Sequence, residues 1–327
     1  MKVREERVPR AAVIVNDEVG MPNYMTMYYL EPGTYEPEDV PDMFKVNGKT
    51  MAAVLISQFT NVVIDGNPCS LPFQKPTGSK NYDEAARLCR EKGNGWHLMT
   101  NTEWVYLLEE ADRIGHTIGG NTDYGANAKN PEERGVKYDE RFTLTGLDPL
   151  SWSHDGTKEG VFGLCGNFWE WVAGLRLVRG CIEYIPENDA AAEDFGPEDP
   201  AWKAVEVNGK QLKLSAGCGV KLTTRNVERD WDGCHYSELE LDGVAGVPES
   251  MHKLGVIPRN WKEESAGIWV DSELEEAVPI RGSSFNSTSN GGPSYVHLDN
   301  PRSGVNSSVG FRSALYLEDW KLVTALL

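Results

Sequence analysis

Residues Arg281 to Leu315 read RGSSFNSTSNGGPSYVHLDNPRSGVNSSVGFRSAL. Fold-making residues frame the run: Arg281 and Gly282 at one end, and Val309, Gly310, Phe311 and Arg312 at the other. Between them the composition changes. Positions 282–311 contain no Lys, Glu, Gln, Met or Trp, although these types make up 68 of the 327 residues. Composition alone would place about six of them there. The five types share one property: no codon ending in C encodes any of them. Asn, Ser, Gly, Asp, His and Tyr, which fill the run, all have such codons. AAC codons randomised at their adenines would leave this signature in the protein.

Working outward, alternation in Tyr295-Val-His-Leu-Asp predicts a strand. It puts Tyr295, His297 and Asp299 on one face and Val296 and Leu298 on the other. The apolar pair would anchor the core while the polar trio faces a ligand. Two earlier blocks frame the rest. WHLMTNTEWVY starts at Trp96, and GLCGNFWEWV starts at Gly163. Thr100 or Asn101 caps a helix whose buried face is Trp104, Leu107 and Leu108. Asn81 to Gly93 is a second helix, with Ala85, Leu88 and Cys89 at helical spacing and Gly93 ending it. Glu103 and Glu170 stand between aromatics, where an unpaired carboxylate is costly. Arg281 and Arg312 are their natural partners.

Taken in order, the blocks at Trp96, Gly163 and Arg281–Arg312 resemble the formylglycine-generating-enzyme branch of the C-type-lectin fold. The resemblance implies an α+β protein with much irregular structure. It covers roughly residues 45–175 and 275–316. A domain at 41–316 is expected, with a long insertion at about 175–278 and a variable region at about 282–312. Residues 1–40 form an arm that either packs on the body or serves as an attachment segment. Residues 317–327 form a tail apolar enough to dock.

Within that fold, LxNPRSxxNxxxGFR resembles the variable region of proteins diversified by a retroelement, such as phage receptor-binding tropism proteins. Adenine mutagenesis there scatters Asn codons and spares the fold-making residues. The resemblance assigns ligand contact to Ser284, Asn286, Ser287, Asn290, Tyr295, His297, Asp299, Asn300, Gly304, Asn306, Ser307 and Ser308. The mix of Tyr with Ser, Asn and Gly matches the chemistry of antibody paratopes, rigid amphipathic rings among adaptable hydrogen-bonding groups.

Catalysis is not expected. The copper-dependent members of the branch use two cysteines just after the RGGS-like block. Here Ser287 and Gly292 stand at those places, and no Cys follows Cys234, so thiolate ligation is missing. The six His show no HxxxH spacing, and neither a GxSxG elbow nor a phosphate loop occurs. No cofactor and no metal site is expected; Glu187, Asp189 and Asp194 lack EF-hand spacing.

A net charge of −18 repels phosphate backbones, so nucleic acid is not an expected partner. No apolar run reaches membrane-spanning length. The charged start, MKVREERVPR, lacks a signal-peptide pattern. The six cysteines are expected as reduced thiols, with Cys218 and Cys234 the pair to check for a bridge. The expected partners are a host cell-surface protein or glycan and other virion tail proteins. Homo-oligomerisation stays open. Two rival readings remain: a metal-dependent oxidase with altered ligands, and a non-variable tail component.

Overall fold

The computed structural model describes residues 8–327. The charged start at 1–7 lies outside them. The fold is mixed and mostly sheet, with few helices, which is compatible with an α+β class.

A five-stranded sheet gathers sequence from both ends of the chain. Its order is Arg10–Asn16, Pro22–Tyr29, Ala53–Ser57, Ser313–Leu317, Trp96–Leu98, and every pairing is antiparallel. The segment expected as an arm therefore packs on the body through residues 10–29, and Met25, Met27 and Tyr28 are fully buried. The tail docks as well. Helix α4 (Trp320–Leu326) buries Val323 against this sheet's core.

Helices α1 (Tyr82–Arg90) and α2 (Asn101–Arg113) start with reciprocal capping boxes, Asn81 with Glu84 and Thr100 with Glu103. Each box satisfies two backbone donors that a helix start leaves open. A short α3 (Glu249–Lys253) lies in the insertion. No helix among the described residues is long and apolar enough to cross a membrane.

The central sheet has six strands, in the order Trp231–His235, Gly267–Asp271, Val296–Asn300, Val278–Arg281, Trp169–Trp171, Val309–Phe311. Two of them come from the stretch read as an insertion. That stretch is thus built into the scaffold, and it also forms a sheet of its own from residues 175–242. One face of the central sheet supplies Val296, Leu298, Ile268 and Val270, all fully buried, to a core shared with that second sheet. The opposite face packs Trp169, Trp171, Ile280 and Phe311 against α1. Burial of such side chains contributes about 1.5–3 kcal/mol each.

The expected ion pairs are half right. Arg312 and Glu170, both fully buried, form a two-pronged pair: Nε to Oε2 at 2.7 Å and Nη2 to Oε1 at 2.5 Å. Thr60 donates to the same carboxylate at 2.7 Å. Glu103 instead binds His97 Nε2 at 2.8 Å and Asn188 at 3.0 Å. Among the described residues Arg281 has no carboxylate partner. Its Nε bonds Asn101 at 2.8 Å, and its Nη2 bonds the carbonyls of Leu254 and Gly255. Burial lowers its pKa to about 10, which keeps it charged at neutral pH. The reason is topological. Trp104 and its helix sit over Gly282, where a Cβ would come within 3.0 Å of the indole. Glu103, on the next position of that helix, is spent on the helix cap and on His97.

Candidate binding site

The strand Val296–Asn300 carries the expected alternation. Val296 and Leu298 are fully buried. His297 and Asp299 turn to the other face with side chains 19% and 12% exposed, and Tyr295 just before the strand is half-buried. His297 pairs with Trp269 in the parallel neighbour strand. Trp269 in turn lies opposite Gly233 in the edge strand. A Cβ on Gly233 would sit 2.3 Å from the Trp269 ring, so only glycine lets that indole lie flat over the strand.

These registers gather an aromatic cluster around the polar trio. Trp169 meets Tyr295 edge-on at 5.3 Å and His297 at 4.3 Å between ring centres. Trp231 stacks on Trp269 at 4.6 Å, tilted by 37°. Hydrogen bonds fix the orientations. Trp269 Nε1 donates to Tyr295 Oη at 3.0 Å, and Trp231 Nε1 donates to Asp299 Oδ2 at 3.0 Å. Asp299 Oδ1 accepts from Asn300 Nδ2 at 2.7 Å and lies 3.2 Å from His297 Nδ1. Burial works against ionisation of Asp299, but the bonds and charge of His297 and the Trp231 N–H outweigh it and hold the carboxyl below its usual range. Burial pushes the Tyr295 hydroxyl up, partly offset by the bond from Trp269.

The remaining expected contact residues fall in two turns. At 284–290, Asn286 and Asn290 are exposed and Ser287 is half-buried. Ser284 does not face solvent: it is 3% exposed, and its Oγ donates to Asn286 Oδ1 at 2.9 Å. It shapes the turn, because Phe285 beside it is drawn into a cluster with Phe142 and Phe168. At 304–308, Asn306 and Ser307 are exposed, and Gly304 and Ser308 are half-buried. Asn306 Oδ1 caps the Ser308 N–H and Oγ. The Ser308 carbonyl accepts from Trp169 N at 2.9 Å, which ties this turn to the aromatic cluster. Asn300 is half-buried at the strand's end.

The cluster's chemistry is that of contact. Its groups are indole and phenol rings, one carboxylate, one imidazole and an amide. No group of three His, Cys, Asp or Glu able to hold a metal ion occurs among the described residues. All six cysteines are free, Cys218 and Cys234 included. Burial pushes Cys89 to about 12 and Cys165 and Cys234 to about 11, far from thiolate reactivity at neutral pH. Sequence reading missed Trp231 and Trp269. The strand-like run Gly267-Ile-Trp-Val-Asp, with Ile268 and Val270 alternating against Trp269, was the available signal, but nothing local says which sheet those strands join.

No protein-family model matches the chain, and no curated protein does. Among the solved structures that align with it, two do so over most of its length. One is the structure of PvdO from Pseudomonas aeruginosa, at 12% identity and a TM-score of 0.34, covering 96% of this chain and 100% of that one. The other is the Major Tropism Determinant U1 variant, at 13% identity and a TM-score of 0.32, covering 94% of this chain and 72% of that one. Both likenesses are distant.

Proposed function

We propose that this chain is a variable ligand-binding protein, diversified in its gene by a retroelement and carried on a phage tail as a receptor-binding component. The observation that carries the reading is the split along one strand. Val296 and Leu298 are fully buried, while Tyr295, His297 and Asp299 stand together on the opposite face beside three indoles. Residue types suited to recognition thus share one face. The His297 and Asp299 side chains are only 19% and 12% exposed and Tyr295 packs partly on the core, so the trio is less open than the alternation alone implies.

The C-type-lectin reading of the scaffold, in its formylglycine-generating branch, draws support from how the three sequence blocks meet. Glu170 of the second block pairs with Arg312 of the third. Trp104 of the first donates its indole N–H to Pro293 at 3.0 Å, pinning the loop before the variable strand. Exposed positions of such a scaffold, Asn286, Asn290, Asn306 and Ser307 among them, can change without touching the buried Glu170–Arg312 pair. The chain acts without catalysis; its ligand is a host cell-surface molecule, and its other partners are tail proteins. Modest affinity at each site is multiplied by display in many copies.

The genome provides the test. A near-identical template copy of the 281–312 coding region, differing at adenines, with a reverse-transcriptase gene nearby, is the expected finding. Their absence would remove diversification from the reading.

A further inference from the structure

Trp231 is 53% exposed and is the only large hydrophobic residue of the central-sheet strands among the exposed ones. Its ring is nonetheless held. Nε1 is bonded to Asp299 and one side is stacked on Trp269, which lies over Gly233. A free indole would cost rotamer entropy on binding; this one has already lost it. Trp231, Trp269 and Trp169 all lie outside positions 282–311, where no Trp occurs. A fixed aromatic plate therefore stands beside diversified neighbours.

The surroundings narrow what the plate accepts. A protein partner needs about 800 Å² per side around several apolar anchors, and these strands expose one. An anion would meet the ionised Asp299 on a chain of net charge −18. A sugar ring fits both limits. One face of a pyranose is lined with C–H bonds, which are weakly positive and attracted to the negative face of an indole. Its hydroxyls need acceptors and donors at the rim. Asn300 spends an amide N–H on Asp299 and keeps its carbonyl oxygen. His297 uses Nδ1 on Asp299 and keeps Nε2.

We propose that Trp231, with Asp299 and Asn300 at its rim, stacks a ring of an uncharged saccharide, so that the ligand of this face is a glycan. The proposal rests on the recognition reading above. It is tested with the full chain on envelopes from a panel of bacteria, each treated with periodate, which cleaves sugar diols, or with protease. Binding lost after periodate but kept after protease is expected. It should fall at least tenfold in Trp231→Ala and recover in part in Trp231→Tyr. Binding that survives periodate and Trp231→Ala but is lost after protease overturns the saccharide and leaves the recognition face standing. No binding to any envelope overturns both.

Discussion

The Trp231 indole N–H donates to the Asp299 carboxylate at 3.0 Å, across 68 residues of sequence. One partner belongs to the inserted stretch and the other to the compositionally biased run. The bond makes the two segments one surface, so a change in either should be felt by the other.

Asp299→Ala should therefore unlock Trp231 as well as remove a carboxylate. Each hydrogen bond lost contributes roughly 0.5–1.5 kcal/mol, and Asp299 accepts from both Trp231 and Asn300. A lower midpoint in urea, with a changed Trp near-UV circular dichroism signal, is the expected outcome. An unchanged Trp signal would mean that the indole is held by stacking alone.

Acid should act on the same pair. The folded pKa of Asp299 lies below its unfolded value, so between the two the unfolded chain binds more protons. The stability contributed by Asp299 is present above the ordinary carboxylate range and is lost as pH falls through the depressed folded value. Urea titrations below about pH 4 should show a shallower acid loss in Asp299→Asn than in the parent chain.

Asp148 should behave with the opposite sign. The residue is half-buried, but its Oδ1 is enclosed without a hydrogen-bond partner among the described residues. Burial, partly offset by Thr143, raises its pKa to about 7. The folded state holds a proton there that the unfolded chain releases near pH 4, so stability falls as pH rises from about 4 to 7. Asp148→Asn should remove that loss: its melting temperature should exceed the parent's at pH 8 by more than at pH 5.

Breaking the buried Arg312–Glu170 pair should be the most damaging of these changes. Glu170→Ala leaves a guanidinium in the core, a cost of about 3–5 kcal/mol. Thermal or urea unfolding reads it directly. A loss under 1 kcal/mol would mean that the three carbonyl and hydroxyl partners of Arg312 suffice.

Gly233→Ala should strike recognition through packing. The new methyl would overlap the Trp269 ring, displacing it and Trp231 with it. Overpacking of this kind costs about 1–3 kcal/mol. Altered Trp fluorescence in a still-folded chain is the expected result.

Much of this was legible in the sequence where the physics is local. Alternation from Tyr295 to Asp299 survives folding because a strand's side chains must alternate. The capping boxes at Asn81 and Thr100 follow from short-range bonding. What escaped depends on distant pairing. Glu103 could equally have met an arginine; only the position of His97 in the neighbouring strand decides otherwise. Ser284 looks like its exposed neighbours in composition, yet Phe285 pulls it inward. Trp231 and Trp269 were read as part of a separate insertion, because nothing near them in sequence tells that their strands extend the sheet begun by Val278–Arg281 and Val296–Asn300.

The direct test is to replace Tyr295, His297 and Asp299 together with Ser, Asn and Gly, types already present in the run, and to measure binding to the bacterial envelope that the parent chain recognises. A cooperative melt with binding lost by tenfold or more is the expected result. Undiminished binding by the folded variant, or a variant that no longer folds, would contradict a recognition face at this strand.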